Sequence, residues 1–250
     1  MSRDEQPLMY SDLAPWFHLI TAPEDYEEEA AFYTKVLLEN AQRPIRTVLE
    51  LGSGGGNNAS HMKKHFEMTL TDLSEDMLKL SRSINPELEH HQGDMCTIRL
   101  GRTFDAVFVH DAVSYLTTEA DLRAAFETAF VHCEPGGVAF FAPDSVREHH
   151  RSGTDWGGHD GADGRSLRYL EWTREPAPGA TTIDVEYAYL LSEPGKPTRV
   201  AYDHHVEGLF SRNEWLRWLT EAGFEPEEVM LVHSDVPEGA VHFVARKPIA

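Results

Sequence analysis

The chain has 250 residues, of which 41% are hydrophobic and 26% are charged, values that suit one globular domain. Its formal net charge of −20 argues against nucleic acid as a partner, because the phosphate backbone would be repelled. No apolar run approaches about 18 residues and the N-terminus lacks a signal-peptide core, so we expect a cytoplasmic protein with no membrane partner. The two cysteines, Cys96 and Cys133, have no metal-ligand spacing and are expected to be reduced.

The first part of the chain is predicted to be helical. Residues 8–20 are rich in aromatic and aliphatic side chains and predict one short apolar helix. A second helix is predicted from Pro23 to about Ala41, because Glu24 and Asp25 lie where the helix dipole favours acidic side chains.

Strands then alternate with helices. Apolar, β-branched runs predict strands at 47–51, 67–71, 88–91, 104–109 and 138–142. Helices are predicted between them at 59–66, 75–83 and 118–133, the last two capped by Ser74 and Thr118. This order predicts an α/β fold in which helices cover both faces of a parallel sheet.

The pattern changes after residue 143. A polar stretch to Gly164 is followed by alternating runs at 166–172, 181–190 and 199–209, with no helix between them, which predict a small antiparallel β insertion. A helix at 211–221 precedes two strands, at 228–233 and 240–246, joined only by residues 237–239. The sheet is therefore predicted to be seven-stranded and mostly parallel, with a reversed final strand.

A glycine-rich turn after the first strand is the main functional signal. Gly52, Gly54 and Gly56 follow Glu50 at alternate positions, and Asp72 ends the next strand about twenty residues later, the spacing of a carboxylate that binds ribose hydroxyls. The overlapping Gly54-x-Gly56-x-x-Ala59 also fits a relaxed dinucleotide fingerprint, which would indicate an NAD-dependent oxidoreductase. The negative charge of Glu50 disfavours a pyrophosphate and favours a cationic ligand.

These motifs resemble those of the class I methyltransferases that use S-adenosylmethionine (SAM), whose sulfonium and ammonium groups are cationic. The resemblance implies a Rossmann-like methyltransferase core and a role for Asp72 in binding both ribose hydroxyls. It also implies that Leu73 and Met77 flank the adenine, that Asp94 and Met95 bind its polar edge, and that His110 contacts the methionine moiety. The SAM-binding residues implied are Glu50, Gly52, Ser53, Gly54, Gly56, Asp72, Leu73, Met77, Asp94, Met95 and His110.

Most of the chain resembles bacterial N,N-dimethyltransferases that act on nucleotide-linked amino sugars, through motifs at 73–78, 91–95, 100–102 and 134–137. The resemblance implies that Tyr10 lies over the active site and that Tyr115 lies near the acceptor nitrogen, and His205 is the best further candidate. We take Tyr10, Tyr115 and His205 as the candidate catalytic residues. The chain departs from the family at Trp16, where a second tyrosine is expected, and at Pro143-Asp144, where an aromatic pair is expected.

We therefore expect a SAM-dependent methyltransferase that acts on a small-molecule acceptor, with an amine nitrogen favoured. A small-molecule O-methyltransferase and a non-catalytic SAM-binding protein are the alternatives. Residues 1–46 are expected to form an N-terminal helical lid, residues 47–143 and 211–250 the core, and residues 144–210 a substrate cap. A homodimer is compatible with the sequence.

Two groups of polar residues have open interpretations. Five insertion arginines could bind an anionic group on the acceptor or pair with neighbouring acidic residues, and we favour pairing slightly: Arg147, Arg151, Arg165, Arg168 and Arg174. The paired histidines point to opposite faces of a strand, and no metal site is expected.

Overall fold

The structure is a computed structural model that describes residues 6–233 and 236–249. The N-terminal segment forms two 3₁₀ turns, Leu8–Tyr10 and Ala14–Trp16, and one helical turn, α1, Phe17–Ile20. The prediction of one continuous helix over residues 8–20 was wrong, because Pro15 cannot continue a helix and instead begins a new turn. A third 3₁₀ turn, Pro23–Tyr26, leads into helix α2, Glu27–Asn40, close to the predicted second helix.

The first half of the core alternates strands and helices, as predicted. Ser74 caps the helix that begins at Glu75, since its Oγ accepts a hydrogen bond from the Met77 N–H, and Thr118 caps the helix that begins at Glu119 in the same way through the Asp121 N–H. The elements are β1 (Thr47–Leu51), α3 (Asn57–Met62), β2 (Glu67–Asp72), α4 (Glu75–Ile84), β3 (Glu89–Gln92), β4 (Phe104–His110), α5 (Glu119–His132) and β5 (Cys133–Ala142).

Strand β5 begins earlier than predicted. Residues 134–137 precede the strand predicted at 138–142, but they belong to it, with an irregularity in its pairing with β4 between Phe104 and Ala106. Gly136 has a φ of +77° there, a conformation that favours glycine.

The insertion is a four-stranded antiparallel sheet in the order β6-β7-β8-β9, with bounds β6 (Gly153–Gly157), β7 (Ser166–Thr173), β8 (Thr182–Ser192) and β9 (Arg199–Gly208). Strand β6 was missed, because it is an edge strand whose residues are mostly exposed and show no apolar alternation.

The chain closes with helix α6, Arg212–Glu221, and strands β10, Glu225–His233, and β11, Val236–Arg246. Both strands are longer than predicted, and residues 237–239 lie in β11 rather than in the connection, which falls at residues 234–235, outside the described residues. The core sheet has the order β10-β11-β5-β4-β1-β2-β3. Strand β11 is antiparallel to both neighbours, so the predicted seven-stranded sheet with one reversed strand is confirmed.

Helices cover both faces of the core sheet, as expected for parallel strands. One face packs against α5 and α6, where Phe126 and Trp215 meet Phe141, and the other packs against α2 and α3, where Tyr33 meets Phe108 and Phe140. The carboxyl ends of the strands stay open between these layers. That edge of an open α/β sheet is where ligands bind. In the part of the chain that the structure describes, no helix is long and apolar enough to cross a bilayer.

The N-terminal segment packs against the insertion sheet. Met9, Leu13 and Trp16 are buried against Leu167 and Tyr189 on its inner face. The N-terminal segment and the insertion, which follows the carboxyl end of β5, therefore meet each other.

Candidate active site

The glycine turn is held against the end of β2. The amides of Gly52 and Ser53 both donate to the Thr71 carbonyl, and the Gly54 amide donates to Asp72 Oδ2 at 2.8 Å. Gly52 has a φ of +75°, and a Cβ there would lie 2.3 Å from the Ala112 Cβ, so only glycine fits. The sequence therefore places a bare backbone edge beside the Asp72 carboxylate.

A cavity of about 490 Å³ opens over this turn. Its wall holds eleven of the residues chosen from the sequence: Tyr10, Glu50, Gly52, Ser53, Gly54, Asp72, Leu73, Asp94, Met95, His110 and Tyr115.

Three residues chosen from the sequence do not line this cavity. Gly56 lies against α4, where a Cβ would come within 2.2 Å of Ser81 Oγ, so its role is in helix packing. Met77 is buried on α4 beneath Gly54, which places it in the core rather than against a ligand. His205 is buried behind Tyr115.

The carboxylates of the turn suit a ligand that brings hydrogen-bond donors and positive charge. Burial and the nearby charge of Asp72 raise the pKa of Glu50 to about 8, and Glu50 Oε2 is buried with no hydrogen-bond partner among the described residues. Burial also raises the pKa of Asp72, although hydrogen bonds from the Ser74, Gly54 and Leu73 amides oppose the shift. An anionic ligand, or one without hydrogen-bond donors, would leave the buried Glu50 carboxyl without a partner. The ammonium group of SAM could pair with Glu50, and its ribose hydroxyls could donate to Asp72.

His110 lies at the end of β4, the strand next to β1, and lines the cavity. Its Nδ1 is 3.2 Å from Asn58 Nδ2, and its Nε2 is 3.0 Å from Asp111 Oδ1 and 3.5 Å from Glu29 Oε1. Because an amide nitrogen only donates, Nδ1 accepts and the imidazole proton is on Nε2, facing the carboxylates. Burial lowers the pKa of His110 despite the opposing charge of Glu29, so the ring is neutral at pH 7.

A chain of hydrogen bonds leads from the cavity into the insertion. The Tyr10 and Tyr115 hydroxyls are 2.9 Å apart, Tyr115 Oη is 2.7 Å from His205 Nδ1, and His205 Nε2 is 3.1 Å from Asp203 Oδ2. Asp203 also accepts the backbone N–H groups of Leu8 and Met9, both at 2.9 Å. Burial raises the pKa of Asp203, but these hydrogen bonds outweigh burial and hold it below its usual range.

Asp203 was missed from the sequence. The sequence pattern that could have predicted Asp203 is its spacing with His205 and Glu207 at alternate positions of β9. This spacing puts all three side chains on the inner, buried face of the insertion sheet. Asp111 and Asp144 were missed as well. They follow β4 and β5, which are neighbouring parallel strands with His110 opposite Ala142.

The insertion arginines are engaged with protein groups. Arg165 pairs with Asp163, Arg168 with Asp160 and Arg174 with Glu186, and none of the five lines the cavity. Arg147 donates to the Leu209 carbonyl, and Arg151 also has an interaction. Across the described residues, no group of three or more His, Cys, Asp or Glu side chains is arranged to hold a metal ion.

A Rossmann-like sheet with a reversed strand and a glycine turn beside two buried carboxylates defines a class I SAM-dependent methyltransferase. The family model named Methyltransferase domain matches residues 48–137. The chain is 35% identical over 208 residues to dTDP-3-amino-3,4,6-trideoxy-alpha-D-glucopyranose N,N-dimethyltransferase of Streptomyces venezuelae, covering 81% of this chain and 85% of that protein.

Solved structures agree. DesVI of Streptomyces venezuelae superposes with a TM-score of 0.80 at 29% identity and covers 96% of this chain and 98% of its own. SAM-bound CalS10, an amino pentose methyltransferase of Micromonospora echinaspora, has a TM-score of 0.73 at 26% identity, covering 89% of this chain and 91% of its own. The chain belongs to the SAM-dependent methyltransferases, in the family that contains these sugar N-methyltransferases. It is an enzyme whose cofactor is SAM.

Proposed function

We propose that the enzyme methylates an amine nitrogen on a small, amino-sugar-like molecule, with SAM bound by the residues of the glycine turn. The observation that carries the proposal is the hydrogen-bonded chain from Tyr10 through Tyr115 and His205 to Asp203. It begins in the cavity wall and ends at a buried carboxylate. The name of the Streptomyces venezuelae relative, an N,N-dimethyltransferase of a dTDP-amino sugar, supports the same acceptor chemistry.

The chain of hydrogen bonds has a direction. Asp203 is ionised, so it accepts from His205 Nε2–H, which leaves Nδ1 to accept from the Tyr115 hydroxyl. The Tyr115 oxygen then accepts from Tyr10, and a lone pair of the Tyr10 oxygen is left for an acceptor N–H. Each link can pass a proton towards His205, so the chain can take a proton from a bound ammonium group.

This arrangement favours nitrogen over oxygen as the acceptor atom. Bound SAM supplies a methyl group that is already electrophilic, so the residues mainly align and deprotonate the acceptor. Burial raises the pKa of both Tyr10 and Tyr115, which makes the tyrosines relays rather than bases. The imidazole of His205 is then the base. An imidazole can take a proton from an ammonium group much more readily than from an alcohol.

The N-terminal segment and the insertion are proposed to act together as a cover over the acceptor. Residues 1–46 form the lid and residues 144–210 the cap on the core of residues 47–143 and 211–250, although residues 1–5, 234–235 and 250 lie outside the described part of the chain. Tyr10, Phe17 and Ile20 line the cavity, and Asp203 ties the segment to the insertion through the Leu8 and Met9 amides. Closure would exclude water from the acceptor nitrogen.

We also propose a cytoplasmic homodimer. Both cysteines are free thiols, which suits a reducing compartment. The outer face of the insertion sheet exposes Trp156, Leu170, Val200 and Tyr202, a surface that a second copy would cover. Light scattering at micromolar concentration tests this: a mass of two chains is expected, and a single-chain mass would contradict it.

Methyl transfer itself can be tested with SAM carrying a deuterated methyl group. A matched pair of acceptors, methyl 3-amino-3-deoxyglucoside and methyl glucoside, differs only in nitrogen against oxygen at one carbon. We expect the labelled methyl group on the nitrogen of the first and no product from the second. Labelled product from the hydroxyl sugar would favour an O-methyltransferase. Tight SAM binding with no turnover of any acceptor, including dTDP-linked amino sugars, would favour a non-catalytic SAM-binding protein.

A further inference from the structure

One carboxylate binds both the N-terminal segment and the imidazole of His205. Asp203 Oδ1 accepts the Leu8 amide at 2.9 Å and the His204 amide at 3.1 Å. Asp203 Oδ2 accepts the Met9 amide at 2.9 Å and His205 Nε2–H at 3.1 Å. A carboxylate offers about four acceptor positions, so these four donors fill Asp203. Two of the four donors belong to the N-terminal segment.

The carboxylate and the imidazole are both shielded from water. Only 4% of the surface of Asp203 and 3% of that of His205 is exposed. A buried carboxylate stays ionised only while hydrogen-bond donors replace the water that it has lost. Without the Leu8 and Met9 amides, Asp203 would keep half of its donors, and its neutral form would be favoured.

The ionisation of Asp203 decides which nitrogen of His205 carries the proton. A carboxylate only accepts, so it requires a proton on Nε2 and leaves Nδ1, 2.7 Å from the Tyr115 hydroxyl, free to accept. A neutral carboxyl group can donate to Nε2 instead, which moves the ring proton to Nδ1. His205 would then donate to Tyr115 and could no longer take a proton from it.

The other groups around the imidazole cannot replace Asp203. Among the described residues, the His205 ring forms hydrogen bonds with Tyr115 and Asp203. The rings of Tyr10 and Tyr187 also lie beside it, with centroids 5.7 and 4.7 Å away. Burial raises the pKa of both tyrosines, so they are neutral at pH 7. In that part of the chain, Asp203 is therefore the one anion bound to the ring.

The same segment also supplies the other end of the hydrogen-bonded path. Tyr10 follows Met9, and its hydroxyl is 2.9 Å from that of Tyr115. The Tyr10 carbonyl accepts Ser74 Oγ–H at 2.6 Å, and the Ser74 amide donates to Asp72 Oδ1 at 2.8 Å. Three consecutive residues, 8–10, therefore contact both ends of the path and are fixed at the cofactor site as well.

We propose that Asp203 is the positioning residue of His205 and that docking of residues 8–10 keeps it ionised, so that His205 takes the acceptor's proton only while the N-terminal segment is docked. The inference rests on the proposed function, because it takes His205 to be the base. The proton leaves the acceptor ammonium group, passes through the Tyr10 and Tyr115 hydroxyls and bonds to His205 Nδ1. The imidazolium then lies beside the Asp203 carboxylate, and the acceptor nitrogen keeps its lone pair for the methyl group.

The tautomer of His205 can be measured without any acceptor. Nitrogen-15 NMR distinguishes a protonated ring nitrogen from a bare one, and loss of signals in His205→Gln identifies those of His205. The full chain is saturated with S-adenosylhomocysteine at about pH 8.5, where an ordinary histidine is neutral. We expect the proton on Nε2 in the wild type and at least partly on Nδ1 in Asp203→Asn, because asparagine has one acceptor oxygen for the four donors. A proton on Nδ1 in the wild type would overturn the inference.

A pair of variants at Leu8 tests the contribution of the segment. Leu8 is the first residue of its 3₁₀ turn, where proline is tolerated, and Pro7 has a φ of −51° and a ψ of 145°, which suit a following proline. Leu8→Pro removes the N–H that Asp203 accepts, whereas Leu8→Ala removes the side chain and keeps the N–H. At saturating acceptor, kcat is expected to be about tenfold lower in Leu8→Pro than in Leu8→Ala, the effect of one hydrogen bond to a charged group. Equal kcat values in the two variants would overturn the inference.

The Asp203 variant is compared with a matched control. Asp203→Asn is expected to lower kcat about a hundredfold, as loss of a proton-transfer group does. Asp184→Asn, at an exposed aspartate on the neighbouring strand, should keep the wild-type kcat. Thermal melting checks that each variant is folded. If Asp203→Asn does not fold, the wild-type tautomer and the two Leu8 variants decide the question.

The proposed function is judged separately, by mass spectrometry of amines incubated with the wild-type enzyme and SAM. Failure to methylate any amine would refute the proposed function, whatever the tautomer of His205. Methylation of an amine at equal kcat by the wild type and Asp203→Asn would refute only the role of Asp203.

Discussion

The hydroxyl groups of Tyr10 and Tyr115 are 2.9 Å apart although 105 positions separate the two residues in the chain. Tyr10 belongs to the N-terminal segment and Tyr115 to the 3₁₀ turn that follows β4. The contact therefore joins the N-terminal segment, which lines the cavity through Tyr10 and Phe17, to the core that binds SAM. It also begins the path to His205 and Asp203.

Removing one hydroxyl from this path should slow methyl transfer. Tyr115→Phe keeps the ring and its edge contact with Tyr10 but breaks the link to His205. We expect kcat to fall by about a hundredfold, the usual worth of a proton-transfer group, with the SAM dissociation constant nearly unchanged. Tyr202→Phe, an exposed tyrosine on the outer face, is the matched control. An unchanged kcat in Tyr115→Phe would remove the path from the mechanism.

Asp72 should dominate cofactor affinity. Its two oxygens accept the Gly54 and Ser74 amides and face the cavity, where they can also accept the ribose hydroxyls. Asp72→Ala is expected to weaken SAM binding at least about tenfold, since charge-assisted hydrogen bonds are worth about 1.5–3 kcal/mol each. Asp76→Ala, four residues later on α4, should bind SAM normally. Calorimetry that finds equal dissociation constants for the two variants would refute the assignment.

Glu50 should couple SAM binding to proton release. Its pKa is raised to about 8 in the free protein, so the carboxyl is mostly protonated at pH 7. A cationic ligand favours the carboxylate and lowers this pKa, so binding releases a proton and affinity rises as the pH approaches about 8. Calorimetry at pH 7 in buffers with different ionisation heats measures the release. Glu50→Gln should abolish it, and proton uptake by the wild-type protein would contradict the prediction.

Asp203 should make docking of the N-terminal segment sensitive to acid. Its pKa is held below the usual value, so its stabilising contribution is present at neutral pH and is lost as the pH falls through that lowered value. Asp203→Asn is expected to lower stability at pH 7 by about 2 kcal/mol and to lose less stability than wild type on acidification. Melting curves between neutral pH and about pH 3 would show this. Identical acid profiles would mean that Asp203 does not titrate as a docking group.

Removing the N-terminal segment should open the cavity. Deletion of residues 1–20 takes away Tyr10 and Phe17 from its wall, and Met9, Leu13 and Trp16 from the inner face of the insertion sheet. We expect faster release of S-adenosylhomocysteine in stopped-flow experiments and a higher KM for the acceptor. Replacing Asp203 alone should reproduce part of the effect. Unchanged release and acceptor kinetics would show that the segment only packs against the insertion.

The fold and the cofactor end of the site could be predicted because their signals are local. Short apolar runs predict the positions of the core strands. Gly52 and Gly54 directly follow β1, and Asp72 ends β2, the neighbouring strand. The acceptor end could not be predicted in the same way. Asp203 lies on β9, and only the packing of the N-terminal segment on the insertion sheet brings it to the Leu8 and Met9 amides. Met77 shows the opposite case, since an apolar residue in a cofactor motif was buried in the core instead.

The most direct test of the account follows the methyl group itself. Purified enzyme, deuterated SAM and methyl 3-amino-3-deoxyglucoside are incubated, and the product is mapped by tandem mass spectrometry, with Tyr115→Phe run beside wild type. The account predicts a labelled methyl group on the nitrogen, formed much more slowly by the variant. A label on a sugar oxygen, or equal rates in the two proteins, would contradict it.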